Sequence, residues 1–272
     1  AADGMVDTLT FSGVVATLAG ANIVNWENIS IDSGTITISD GMLVTGQEDG
    51  IGLTLASGGT LDAGAAMTLT GNVTLEDGGT FEASGGGAGV YTITGNVTNA
   101  GLISSIDGVS GDQVHVTGLY TGTGGVVALD TTLGDDSSAT DVLYLDGASA
   151  GSSYLRISNA GGAGALTTNG IKVIDVTGAS NGAFTLAGDY VHEGAPAVVG
   201  GAYAYKLYQG GKSTPTDGNW YLRSELITAE PEPEPEPLYQ AGVPVYESYP
   251  QILLGLNGLP TLQQRIGNRI WT

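Results

Sequence analysis

Glycine, then threonine or leucine, then a large apolar residue recurs through the first hundred residues at intervals of 20 to 25 positions: Gly34-Thr35-Ile36, Gly59-Thr60-Leu61, Gly79-Thr80-Phe81 and Gly101-Leu102-Ile103. Thr-Gly-Asn-Val-Thr occurs at 70–74 and again at 94–98. A unit this short cannot bury its own apolar face, so neighbouring units must stack. Within a unit the period is two: from Gly34 to Ser39, Ile36 and Ile38 fall on one side and Thr35 and Thr37 on the other. Gly or Asn/Asp turns every five to eight residues then bend the chain into coils. These features predict an all-β chain folded as a right-handed parallel β-helix, a solenoid with apolar residues inward and threonines outward. At about 4.8 Å between stacked strands, about ten windings over residues 1–225 predict a rod about 50 Å long. Only its two ends expose strand edges, and these need caps.

Charge narrows the function. The 272 residues hold 28 acidic side chains against 7 basic ones, and the first basic residue is Arg156. Such a surface repels phosphates, which argues against nucleic acid as a partner. Cysteine is absent, so packing and ladder hydrogen bonds must stabilise the fold without disulfides or thiolate metal sites. No run of eighteen apolar residues occurs, and Ala-Ala-Asp-Gly at the start lacks the basic and apolar regions of a signal peptide. The expectation is an internal piece, with an export signal upstream and a membrane domain downstream.

The C-terminal third changes character. Tyr203, Tyr205 and Leu207 alternate with Ala204 and Lys206, and a loop from Gln209 to Asn219 leads to Trp220, Tyr221 and Leu222. This predicts a β-hairpin cap over about 188–225, with Gly218 and Asn219 setting the turn and the aromatic rings buried. Residues 229–237, Ala-Glu-Pro-Glu-Pro-Glu-Pro-Glu-Pro, form a Pro/Glu linker expected to be extended. Beyond it, Ile252, Leu256, Leu259, Leu262, Ile266 and Ile270 recur at helical steps, with Pro260 expected to divide the helix. The domain reading is therefore a stem over 1–110, the end of the β-helix and its cap over 111–228, the linker over 229–237 and a junction over 238–272.

The run from Gly111-Asp-Gln-Val-His-Val-Thr-Gly-Leu-Tyr120, through Leu129 to Asp141 and Ala204 to Tyr208, ends in Gly-Asn-Trp-Tyr-Leu-Arg-Ser at 218–224. It resembles the autochaperone region of bacterial autotransporters, the pertactin-like type V secretion family. The tail is similar to that family's junction to its barrel: Tyr239, Val243, Pro244, Tyr246, Pro250, Thr261, Leu262 and Arg265 match, whereas Gln240, Ala241, Gly242 and Gln263 depart. The resemblance covers about residues 105–270; the first hundred residues match only a generic β-helix pattern. It implies a partner, the protein's own C-terminal β-barrel translocator, lying beyond this sequence. It also implies export through the periplasm to the cell surface or outer membrane, or secretion from there.

Other motifs favour structural roles. Gly147-Ala-Ser149-Ala-Gly151 matches the GxSxG nucleophile elbow, but that motif needs a helix after the serine, and residues 152–158 read as a strand. His115 and His192 sit in alternating strands, where an outward surface histidine is the ordinary outcome, and no metal-ligand spacing surrounds them. Asp135, Asp136, Asp141 and Asp146 fit no calcium loop and read as turn and capping residues. Asn28, Asn72 and Asn96, each in a sequon-like triplet, mark corners where asparagine tolerates left-handed backbone.

The reading is a non-enzymatic stem and autochaperone segment, with no metal or cofactor, acting through folding. Its expected capping and nucleating residues are Tyr203, Tyr205, Leu207, Trp220, Tyr221 and Leu222, with Gly218 and Asn219 at the turn. An alternative makes the solenoid surface itself an adhesin for host-cell, matrix or bacterial surfaces. A third reading, a polysaccharide-degrading β-helix, conflicts with the absence of Lys and Arg from residues 1–155.

Overall fold

The computed structural model describes residues 6–48, 50–227 and 243–258, with side chains from 248 onward in the last stretch. Residues 1–227 fall in one compact unit and 228–272 in another. The first unit is a parallel β-solenoid of about six turns with three faces, continued by antiparallel strands at its C-terminal end.

The alternation in the sequence becomes the inside and outside of each face. On the second face Ile36 pairs in register with Leu61, Leu61 with Phe81, Phe81 with Ile103, Ile103 with Val127 and Val127 with Leu155. All six are buried. A matching column on the third face runs Leu43, Leu69, Ile93, Val116, Leu145, Val176. Parallel, in-register stacking places each apolar side chain against its equivalent one winding away, so one continuous core forms from units that have none alone.

The expected ten windings are too many. Early windings take 20 to 25 residues, as from Thr8 to Asn28 and from Gly34 to Gly59, but later ones take 29, from Tyr120 to Ser149, and 31, from Ser149 to Ser180. The third face holds six parallel strands, from Met42–Val44 to Ile171–Val176, before its pairing turns antiparallel. Residues beyond Leu186 leave the coil. Six turns at about 4.8 Å correspond to about 30 Å rather than 50 Å.

The corner asparagines act through their side chains instead of left-handed backbone. Among the described residues, positive φ outside glycine occurs only at Asn25 and Glu193. Asn28 Oδ1 accepts the Gly52 amide, Asn72 Oδ1 the Asn96 amide and Asn96 Oδ1 the Leu119 amide, at 2.8–3.1 Å. Asn72 Nδ2 also donates to the carbonyls of Gln47 and Glu48. Each side chain thus satisfies backbone groups of an adjoining winding, where the corner interrupts the ladder. Gly52, with φ +149° and the Asn72 carbonyl where a Cβ would stand, makes the close approach possible.

In the second unit one helix is described, Val243–Asn257, with Pro250 inside it. It starts well before Ile252 and contains Ile252 and Leu256, both exposed. The linker 229–237, Pro260 and the positions from Leu259 onward lie outside the described residues, as do Tyr239 to Gly242. No helix among the described residues is long and apolar enough to cross a membrane.

Candidate functional site

The C-terminal cap is a meander of antiparallel strands. Tyr190–His192 pairs with Ala195–Gly200, that strand with Tyr203–Gln209, and Tyr203–Gln209 with Trp220–Leu226. The last of these pairs antiparallel with Ile171–Val176, the final strand of the third face. Sheet hydrogen bonding therefore runs unbroken from solenoid into cap, and the cap is part of the same core.

Each residue expected to cap the rod can now be placed. Tyr205 and Leu222 are fully buried, Trp220 and Tyr221 nearly so, and Tyr203 and Leu207 are partly buried against the core. The Tyr205 hydroxyl lies 2.8 Å from the Gly134 carbonyl and 3.0 Å from that of Ala165, and accepts the Ala165 amide at 2.9 Å. It ties two loops from far upstream to the cap. Trp220 meets Phe184 edge-on at 5.4 Å, and Phe184 stacks toward Tyr120 at 6.0 Å. Tyr120 in turn bonds Ser153 and Asn99 inside the coil. A line of rings thus leads from the cap into the solenoid, and Phe184, its middle member, was not singled out from sequence.

The turn residues hold the cap to the last winding. Gly218 has φ +78°, its carbonyl accepts Ser180 Oγ at 2.7 Å, and a Cβ there would lie 3.0 Å from Ser180 Cβ. Asn219 Oδ1 accepts the Val176 amide at 2.7 Å. Tyr221 donates its hydroxyl to Asp217 at 2.6 Å, and burial pushes the phenol above its ordinary value. In strand Tyr203–Gln209 the simple alternation fails, because Ala204 and Lys206 are buried as well as Tyr205. Lys206 tolerates this by donating to Glu225 at 2.7 Å and Glu193 at 3.1 Å, which holds its ammonium above the ordinary lysine range.

His192, Glu193 and Glu225 place one donor atom each within 4.8 Å of one another. The Lys206 ammonium bonds both carboxylates, so the chain's own cation balances one of their two charges. His192 is less exposed than an outward strand residue: its side chain is 11% accessible, stacked toward Tyr190 and 3.8 Å from Glu225. His115 is half-buried, stacked on Tyr144 at 4.4 Å, with Nδ1 3.3 Å from Asp146. Ser149 is buried at the start of strand Ser149–Asn159, which runs on where a nucleophile elbow needs a helix.

The aspartates are structural staples, some of them deeply buried. Asp136 accepts the amides of Thr168, Asn169 and Gly170, and Asp135 caps Ser137. Asp141 accepts the amides of Gly111, Asp112 and Asp130 and the Ser105 hydroxyl. Asp112, Asp130 and Asp141 have no exposed surface. Burial pushes Asp112 up to about 6, against the Gly89 amide bond and helped by nearby Asp141, Asp107 and Asp130. Burial raises Asp141 too, despite its donors.

The model of the family described as Autochaperone Domain Type 1 matches residues 92–207. Over these residues the chain is similar to the autochaperone domain of autotransporter passengers. The adhesin BmaC autotransporter of Brucella suis is 55% identical over 163 residues, 58% of this chain and 5% of that protein. The autotransporter adhesin AIDA-I of Escherichia coli is 38% identical over 112 residues, 41% of this chain and 8% of its own length. The probable autotransporter YfaL of Escherichia coli is 36% identical over 132 residues, 46% of this chain and 9% of that protein. The chain spans less than a tenth of each of these three relatives. The autochaperone match takes in Tyr203, Tyr205 and Leu207 and ends before the Gly218–Leu222 turn and strand.

Proposed function

We propose that this autochaperone segment is the stem and folding nucleus of a surface-exported adhesin, and that it works by folding rather than catalysis. The observation that carries the reading is the cap's continuity with the last winding, through the pairing of Trp220–Leu226 with Ile171–Val176 and the ring line Tyr120, Phe184, Trp220. A C-terminal end that folds first offers strand edges on which the next winding pairs. Each addition repeats the same backbone ladder and buries one more layer of core. Folding outside the membrane then opposes backward sliding of the chain without ATP. The partner in this scheme is the protein's own translocator barrel, and the destination is the cell surface or the medium.

The test compares Trp220→Ala with Thr74→Ala in the complete secreted protein. Truncating a buried tryptophan costs about 3–5 kcal/mol, while Thr74 is exposed. The expected result is a marked loss of surface display for Trp220→Ala alone; equal display of both variants would sink the proposal.

One observation favours a second role, adhesion by the solenoid itself, in keeping with the names of the relatives. Thr54, Thr74, Thr98 and Thr121 form an in-register column beside Asn72 and Asn96 along a shallow groove of about 250 Å³. Binding of the purified chain to cells or matrix, lost when these threonines become alanine, would support it.

A further inference from the structure

Basic residues are scarce in this chain, and two of those in the cap have no carboxylate partner among the described residues. The described residues contain Arg156, Lys172, Lys206, Lys212 and Arg223. Lys172 pairs with Asp175, and Lys206 with Glu193 and Glu225. Lys212 and Arg223 have no carboxylate partner among the described residues, yet both line one pocket of about 230 Å³ with Thr168, Tyr208 and Glu225. The Arg223 guanidinium is held in place: it lies over the Tyr208 ring at 4.7 Å, and one of its Nη2 hydrogens goes to the Gly210 carbonyl. Its Nε is buried with no acceptor among the described residues. In a protein of net charge −21, an unfilled pair of cations around one cavity stands out from the surrounding field.

We propose that this pocket binds a carboxylated sugar, through its carboxylate to Lys212 and Arg223 and its hydroxyls to Thr168 and Glu225. Arginine and lysine together suit one carboxylate, arginine through its planar fork and lysine as a point charge. Glu225 sets the rest of the selectivity. Its Oε2 is taken by Lys206 at 2.7 Å, while Oε1 holds only the long 3.4 Å bond from the Tyr208 hydroxyl and can accept a sugar hydroxyl; the carboxylate disfavours a second anionic group, and so an acidic peptide. The cavity is smaller than the 300–1,000 Å³ range of drug-sized sites, a size suited to a single ring.

The experiment titrates the full chain with glucuronic acid and with N-acetylneuraminic acid, followed by calorimetry and by NMR of the cap amides. Glucose, acetate and an acetylated Glu-Pro-Glu-Pro amide serve as comparison ligands. Saturable binding of at least one acidic sugar is expected, with a weaker response to all three comparison ligands. Lys212→Gln, at an exposed position, should weaken it about tenfold, the loss of one charge-assisted hydrogen bond. Arg223→Lys provides a second variant that keeps the charge but not the fork, and is expected to weaken binding too. Absence of saturation by a folded wild-type chain, an equal response to acetate or peptide, or unchanged affinity in Lys212→Gln would each overturn the proposal. The folding role stands on Trp220 and the display assay, so failure here leaves it untouched.

Discussion

Replacing Asp112 by asparagine should reshape the pH dependence of stability. The Asp112 carboxyl has no exposed surface; Oδ1 accepts the Gly89 amide at 2.6 Å, and Oδ2 has no donor among the described residues. Its titration moves from an ordinary value of 3.8 to about 6 in the fold, chiefly through burial, with Asp141, Asp107 and Asp130 adding repulsion. The same carboxylate helps push the buried Tyr91 phenol up to about 12. Between about pH 4 and pH 6 the folded state keeps a proton that the unfolded chain has released, so stability falls as pH rises through that window. A shift of about two pK units corresponds to roughly 2–3 kcal/mol, absent below about pH 4 and complete above about pH 7. Asparagine retains an oxygen for the Gly89 amide and removes the charge. Urea denaturation of the full chain at pH 4 and pH 7.5, followed by circular dichroism, should therefore show Asp112→Asn gaining roughly 2–3 kcal/mol on wild type between the two conditions. With a slope of about 2–3 kcal/mol per molar urea, the relative midpoint moves by about 1 M. Midpoint profiles that stay parallel would refute the burial argument. A constant deficit at both pH values would assign Asp112 the role of a hydrogen-bond acceptor whose charge is immaterial.

Two further substitutions address the cap. Gly218→Ala forces an alanine to φ +78° beside Ser180, at a cost of about 1–2 kcal/mol; a calorimetric melt should fall by a few degrees, and an unchanged melt would count against the turn's role. Tyr205→Phe keeps the buried ring but removes the hydroxyl shared among Gly134, the Ala165 carbonyl and the Ala165 amide, at a cost of about 1–3 kcal/mol. Hydrogen exchange at the Ala165 amide should accelerate well beyond that of the Ile93 amide in the solenoid core, and equal exchange would show that the hydroxyl does not hold the loop.

The parts of the fold that could be read from sequence are those enforced at every winding. A strand buried on one face must alternate, and a slip of one residue would turn Ile36 and Ile38 outward, so the inner column is written plainly in the chain. Winding length is not enforced in the same way. Corners absorb extra residues at the surface while the strands stay stacked, which is how a repeat of 20 to 25 grows to 29 and 31 and why counting by a fixed repeat overshot. The cap's rings were visible as a local excess of aromatics, but their contacts were not, since Phe184 and Tyr205 reach partners 36 and 71 residues away at Trp220 and Gly134. The aspartates show the limit most clearly. Asp141 reads in sequence as a turn residue and Asp112 and Asp130 are not singled out, yet all three accept hydrogen bonds from turn amides and are buried. Burial comes from the windings stacked around them, so what separates a solvated Asx turn from the Asp112 carboxyl, pushed up to about 6, is supplied by chain distant in sequence. The same reasoning explains Lys206: alternation placed it outward, but the meander folded Glu193 and Glu225 over it, and a buried ammonium became tolerable only where those two carboxylates met.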